Sequence, residues 1–440
     1  MKSSKRKENR DILRLFQSVG RASLRVDIQG SHSGNMAVKF TDESGRDQVV
    51  VTATGSQKGE LESEQICFLS ARKTDYGDTK ASSETEIHAR ILTLRGIRAS
   101  FHAHTKDLTV ATLDDAKKPG RPVPFIPIDP LGYYSLGGAI PVDWMALPSG
   151  SAERAKVIYE RLSQYPAMVL QAHGTFTRGR TLKEAFFLAC LANNSGAIVR
   201  LSTKLRVDVE SLRRKIRTAP DSCFQFPPPA YTIEDDEICE FPEEEEIQKE
   251  IVKTGARIFE SRLSPFHSGS ISVRSVNAML YAPKASMPRE IGGPLLRVPL
   301  PPGKLDYPEL ALHKKLYAES RFQTIIHCYI PEAEAQAQFV YPGENAPTDR
   351  IIPIDAEGSV LYPAIPVAPP NVDVESLIKL LHDYKVVVVR GGGIWAAGRQ
   401  SLSEVLHHSS AVREICLYRI GAFEQGLDLR RMELGKAKSG

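Results

Sequence analysis

Residues 82–104, SSETEIHARILTLRGIRASFHAH, and residues 306–329, DYPELALHKKLYAESRFQTIIHCY, carry one pattern twice. Glu84, His88 and His102 recur as Glu309, His313 and His327, with a step of four residues and then of fourteen in both. In each, a Glu and a His one helical turn apart lead into a short apolar run that reaches the second histidine. Identical offsets mean an internal repeat. The copies then diverge: the first continues to His104 and later to His173 in MVLQAHG, where the second has Tyr329 and Gly392.

The repeat extends outward from these segments. GRASLRVDIQGSHSG (20–34) and GARIFESRLSPFHSG (255–269) have one length, end alike and precede the strand-like runs MAVKF and ISVRS. LQAHGTFTRGRTLKEAF aligns with VRGGGIWAAGRQSLSEVL, given one extra residue after Gly398. Two domains of about 200 residues fit this length, 1–218 and 247–440. The Pro-rich, acidic stretch 219–246 between them lacks apolar periodicity and is expected to be a linker. Its closing run Glu243–Glu246 reads as the solvated first turn of the next helix, where carboxylates favour the helix dipole, rather than as a dock for a basic partner.

Composition narrows the class without naming a chemistry. The net charge is +4, with 57 Lys and Arg against 53 Asp and Glu dispersed along the chain. That leaves no electrostatic footprint for nucleic acid. The basic opening MKSSKRKENR is not followed by an apolar core segment, and no membrane span is expected. The six cysteines form no CxxC pair, so neither a thiolate metal site nor a disulfide framework is indicated, and the cytosol is the expected compartment.

Within the first copy, a helix over DILRLFQSVGRASLRV leads to the strand-like MAVKF and QVVVTATG, a helix from Glu84 to about Leu94 and the strand ASFHAH. A helix over AERAKVIYERLSQ, the strand AMVLQAH and a long helix from Leu182 follow. This alternation predicts a layered α/β domain.

Residues two apart on a strand share a face, so His102 and His104 present two imidazoles to one point. His173, ending another strand, would complete a three-histidine set that leaves coordination positions open, the catalytic kind of metal site. An isolated His-x-His is more often a half-buried pair; Glu84 and His173 shift the reading to a metal. Ser82, Ser83 and Glu84 stand at a helix N-terminus. There they either cap the helix or, by the same geometry, help to hold a phosphate. His88, one turn after Glu84, is expected to be structural. The turns at Gly34-Asn35 and Thr54-Gly55-Ser56 allow close backbone approach to an anion. Either is ordinary alone, but with Ser82 and Ser83 they form converging donors.

These residues resemble the class II aldolase/adducin head family, typified by L-fuculose-phosphate aldolase. The resemblance lies in Gly34-Asn35, Thr54-Gly55, Ser82-Ser83-Glu84, His102-x-His104 and His173-Gly174, in family order, over about 10–205 and more weakly over 248–425. It implies two tandem α/β/α sandwich domains with mainly antiparallel central sheets. It further implies His102, His104 and His173 as ligands of a divalent metal, zinc foremost with iron, manganese or cobalt as alternatives. Glu84 would be the acid/base group, and Asn35, Thr54, Gly55, Ser82 and Ser83 would bind a substrate phosphate. Family members are commonly cyclic tetramers with sites between subunits, and a neighbour's tyrosine often assists proton transfer; Tyr133 and Tyr134 lie in the corresponding region.

The expected reaction is retro-aldol cleavage of a phosphorylated sugar through a metal-stabilised enediolate, with Glu84 moving the proton. Lys58 in TGSQKGEL resembles a segment of the dehydratase branch, which makes other lyase chemistry the runner-up. Epimerase, decarboxylase or iron-oxygenase chemistry and a non-catalytic assembly module complete the alternatives. The second copy, lacking two of the three histidines, is expected to be a degenerate domain kept for assembly. A homodimer, or a higher oligomer, would then mimic a tetramer of domains.

Overall fold

The computed structural model describes residues 2–41, 45–69, 75–76, 79–113, 124–145, 151–219, 244–266, 268–283, 295–300 and 308–434. Most of the expected linker, 220–243, lies outside them. The chain divides into two compact units, residues 1–127 with 132–196 and residues 128–131 with 197–440.

Alternation of apolar residues in the first unit produces β1 (Asn35–Thr41), β2 (Asp47–Thr52), β3 (Ile66–Leu69), the two-residue ribbon β4 (Asp75–Tyr76) and β5 (Thr79–Lys80), β6 (Ala99–Ala103), β7 (Val142–Asp143), β8 (Ala167–Leu170) and β9 (Gly174–Gly179). All but the ribbon form a seven-stranded sheet in the order β3-β2-β1-β6-β9-β8-β7, antiparallel except at β7/β8. One face packs Ala37, Val51, Met168 and Phe176 against Ile87 and Ile91 of helix Thr85–Ile91 and Ala155, Ile158 and Leu162 of helix Ala152–Gln164. On β6, Phe101 meets Phe186 of helix Leu182–Lys204 edge to face.

The second unit repeats this plan with β10 (Ser270–Ser275), β11 (Ala278–Ala282), β12 (Leu296–Pro299), β13 (Thr324–Cys328), β14 (Arg350–Ile351), β15 (Ile365–Ala368), β16 (Val386–Val389) and β17 (Ile394–Gly398). Its order is β12-β11-β10-β13-β17-β16-β15-β14, again mainly antiparallel with one parallel pair, β15/β16. VVVV on β16 shows why a continuous apolar run suits a strand covered on both faces. Val386 and Val388 join one core with Ile258, Val405 and Val412, while Val387 and Val389 join another with Leu316, Leu377 and Leu381. Helices therefore cover both faces, and the expected α/β/α sandwich is present.

The repeat is conserved to the register. Asn35 pairs with His102 across β1/β6, and Ser270 with His327 across β10/β13. His102 pairs with Phe176, and His327 with Trp395. Residues 197–218, first-copy residues by the repeat, belong to the second unit, where Leu201 and Leu205 share a cluster with Phe339, Ile420 and Leu429.

Helix Leu182–Lys204 is long and apolar enough to cross a bilayer, but 89% of its apolar window is buried inside the fold. That burial marks it as a core helix.

Candidate metal centre

β6 delivers His102 and His104 to one end of the sheet, and the turn from β8 into β9 delivers His173. The three rings come together, with centroids 5.1 Å (His102–His104), 4.8 Å (His102–His173) and 5.2 Å (His104–His173) apart. One ring nitrogen from each lies within 4.8 Å of the others. Nε2 of His102 is 3.1 Å from Nε2 of His173, close to the edge of about 3.3 Å that zinc–nitrogen bonds of about 2.0–2.1 Å set in a tetrahedron.

The surroundings fix His102 in the tautomer a metal requires. Its Nδ1 donates to the Thr175 carbonyl at 3.0 Å, and the ring stacks on Phe176 at 4.0 Å. Nε2 is left as a lone pair facing the cluster. Burial depresses the basicity of all three rings, with mutual repulsion adding to it at His102 and His173, and His173 falls to about 3. They are therefore neutral at neutral pH, the form that ligates.

Glu84 is the N-cap of helix Thr85–Ile91 and is 3% exposed. Its Oε2 lies 3.6 Å from His102 Nε2, and its Oε1 3.7 Å from His173 Nε2. Oε2 accepts from Asn35 Nδ2 at 2.8 Å, whereas Oε1 is buried and accepts no hydrogen bond among the described residues. A buried bare carboxylate oxygen beside three neutral imidazoles is costly alone. With a divalent cation at the imidazoles it is compensated, so the donor set fits such an ion.

His88 proves structural, as its sequence position suggested, with a consequence for Glu84. The ring is fully buried, which lowers it to about 4 and keeps it neutral. With Nδ1 accepting from Ser100 Oγ at 2.5 Å, Nε2–H donates to Asn35 Oδ1. That orients the Asn35 amide so that its NH2 meets Glu84. Ser100, His88, Asn35 and Glu84 form one chain of hydrogen bonds.

The expected phosphate donors are only partly placed for that task. Asn35 has its amide committed to Glu84 and His88, Thr54 Oγ1 donates to the Ala81 carbonyl at 2.9 Å, and Ser82 Oγ accepts from the Glu84 N–H at 3.2 Å. These hydrogen bonds tie the three side chains to the framework of the site. Thr54, Gly55 and Ser83 are exposed. Gly55 has φ +69° with open space where a Cβ would point, as close backbone approach of a ligand requires.

Two further residues stand out: Lys58, already noted in the sequence, and Arg154, which the sequence argument left aside. Lys58 is 1% exposed and donates to the carbonyl and hydroxyl of Ser56, at 2.8 and 3.0 Å; burial lowers its ammonium to about 8. Arg154, in the first turn of helix Ala152–Gln164, places Nη1 3.4 Å from His173 Nδ1. Nothing in AERAKVIYERLSQ separates it from a solvent-facing arginine. Of the two tyrosines noted, Tyr133 packs against Gly138 and edge to face on Tyr134.

In the second copy the same register brings no three metal-ligating side chains together among the described residues. His327 Nδ1 is 2.7 Å from Glu309 Oε1, and Nε2 donates to the Gly392 carbonyl at 2.9 Å. Ser270 donates to Glu309 at 2.5 Å and lies 2.7 Å from His313. Burial pushes Glu309 up, but His327 and Ser270 outweigh it and its carboxyl ends below the usual range.

The chain is 27% identical over 167 residues to methylthioribulose-1-phosphate dehydratase of Leptospira biflexa, covering 35% of this chain and 79% of that protein. It is 29% identical over 161 residues to 5-methylthioribulose-1-phosphate/5-deoxyribulose-1-phosphate aldolase of Rhodospirillum rubrum, covering 36% and 66%. With 3-oxo-tetronate 4-phosphate decarboxylase of Haemophilus influenzae it shares 28% over 174 residues, covering 39% and 78%. Among solved structures, L-fuculose-1-phosphate aldolase of Thermus thermophilus aligns with TM-score 0.36 and 23% identity over 47% of this chain and 98% of that one. The Class II Aldolase and Adducin N-terminal domain model matches residues 11–198 and again 249–420, and the chain belongs to that family, carrying its domain twice.

Proposed function

We propose that the first domain is a metal-dependent lyase acting on a phosphorylated ketose, with retro-aldol cleavage as its reaction. The observation that carries this reading is the bare Oε1 of Glu84 facing three neutral imidazoles. His102, His104 and His173 would hold a divalent ion, zinc foremost, which when bound supplies Lewis acidity toward a substrate carbonyl. Glu84 moves the proton. In cleavage of a 2-ketose 1-phosphate, the C3–C4 bond breaks, the C4 hydroxyl loses its proton as the aldehyde forms, and Glu84 delivers a proton to C3. Asn35 and His88 hold the carboxylate in place. The phosphate is assigned to the open turn at Thr54-Gly55 and to Ser83.

Dehydration is the second reading, favoured by the similarity to a methylthioribulose-1-phosphate dehydratase and by buried Lys58. There Glu84 would take the C3 proton, and the C4–O bond would break with loss of water. One experiment separates the two. Purified protein loaded with zinc, iron(II) or manganese is incubated with 5-methylthioribulose 1-phosphate and with 5-deoxyribulose 1-phosphate. Dihydroxyacetone phosphate plus an aldehyde identifies cleavage, and a dehydrated diketone phosphate identifies dehydration. No turnover with any of these ions would defeat both.

A further inference from the structure

Two stretches of the first copy belong to the second compact unit, Ile128–Leu131 and the chain from Ala197 on. Each has a counterpart in the second copy. IPID at 126–129 recurs as IPID at 352–355, and helix Leu182–Lys204 recurs as helix Leu402–Glu424 with Leu402 at the place of Leu182. This register holds in detail: Glu184 accepts from the Arg180 N–H as Glu404 does from the Gln400 N–H, and Asp208 and Asp428 each cap the helix that follows.

The counterparts have unequal surroundings. Ile198, Leu201 and Leu205 share one helix face and are buried, the last two in the cluster with Ala335 and Phe339. On the corresponding face of the second copy Tyr418 is 57% exposed, and Leu417 beside it, at the place of buried Ala197, is exposed as well. The receiving side is unequal in the opposite sense. Ala335 is buried in that cluster, whereas Val110, at its place in the first copy, is 54% exposed and Leu113 after it 57% exposed. A head-to-tail contact is thus made once, which leaves one apolar helix face and one apolar receiving face uncovered. A second molecule covers both, because each chain then offers the half that the other lacks.

We infer that the face at Leu417 and Tyr418 docks on Val110 and Leu113 of a second copy of this chain, closing a two-fold dimer, and that Asp355 is thereby carried to the first-copy metal centre of the other molecule. The second part rests on the metal-centre reading above; the dimer does not. Its basis lies in the second unit, where Asp129 stands near Tyr329 and Glu334: burial raises both of these groups, and the charge of Asp129 adds to it. Tyr329 holds the place of His104, so the Asp of the second IPID comes beside His104. Helix Ala356–Leu361, which Asp355 caps, ends on exposed Val360 and Leu361, further apolar surface for the same contact.

Light scattering on the full chain should return twice the chain mass. Val110→Asp and Tyr418→Asp should each weaken the dimer by about a hundredfold or more, because a carboxylate would be buried in an apolar contact. Both side chains are exposed in the single chain, so neither change should hinder folding. An equal mixture of the two variants should regain dimers, though weaker ones than wild type, since a mixed pair keeps one contact untouched. Asp355→Asn should leave the dimer intact, as asparagine caps equally well. It should weaken zinc binding by about fivefold, the scale of one unit charge acting on a cation across solvent. A monomeric wild type, a dimer indifferent to both substitutions, or a mixture that stays monomeric would overturn the docking. A dimer whose zinc affinity ignores Asp355→Asn would overturn the placement of Asp355. Wild-type dimer that takes up no zinc would defeat the metal-centre reading and the placement of Asp355 with it, and leave the docking standing.

Discussion

A single carboxylate separates the acid/base reading of the first domain from a capping one. Glu84 terminates a helix in both, but a cap does not need a bare buried Oε1. Glu84→Gln should keep fold and metal while lowering turnover by on the order of a hundredfold or more, checked by steady-state assay beside metal analysis. A fully active variant would return Glu84 to the role of cap. His88 and its counterpart His313 make a second prediction, because burial lowers them to about 4 and about 3. A histidine depressed in the fold takes up its proton more readily when unfolded. Its neutral form therefore contributes stability that is intact above about pH 6.5 and is lost as pH falls from there toward the folded value. Each should cost roughly 3 kcal/mol by pH 4, seen as a falling thermal midpoint. The His88→Gln, His313→Gln double variant should show a shallower slope between pH 6.5 and 4.

At the scale of elements, the turn between β8 and β9 decides whether three imidazoles meet. Ala172 there adopts φ 57°, and Gly174 passes so close to β6 that a Cβ would fall 2.3 Å from the Ala103 carbonyl oxygen and 3.1 Å from the His102 ring. Gly174→Ala must push β9 away from His102. It should weaken zinc binding by at least tenfold, on the order of 1.4 kcal/mol or more, read by competition with a chromogenic chelator. Unaltered affinity would mean that the turn yields without moving His173. Much of this element was legible beforehand, since MVLQAHG ends an apolar run on His-Gly and aligns with the second copy. Strand periodicity likewise placed His102 beside His104. Arg154 was not legible, because burial of one helical arginine depends on a neighbour nineteen residues away in sequence. The commitments of Asn35, Thr54 and Ser82 were hidden for a similar reason: their residue types suit an anion as well as they suit the hydrogen bonds they make within the protein, and only the distances decide.

For the molecule as a whole, one divalent metal per chain is expected. Elemental analysis should return about one equivalent, lost in the His102→Ala, His104→Ala double variant; two equivalents would mean that the second copy binds as well. Removing residues 247–440 should leave a protein that aggregates on size-exclusion chromatography. Leu201 and Leu205 would lose Phe339, Ile420 and Leu429, their partners in one apolar cluster. A monodisperse, active 1–246 fragment would show that the second copy is dispensable. That copy keeps the strand register of the first, yet His327 spends both nitrogens on Glu309 and the Gly392 carbonyl. Its inheritance is consequently hard to reverse. Tyr329→His with Gly392→His would supply the histidines the first copy has at these places, but His327 would still be turned to its present partners, and Gly393, at φ 73° with Cys328 pressed against it, grips the loop in its present course. Each step back gains nothing until the others are made, so the lost centre is guarded by a ratchet of mutually dependent changes.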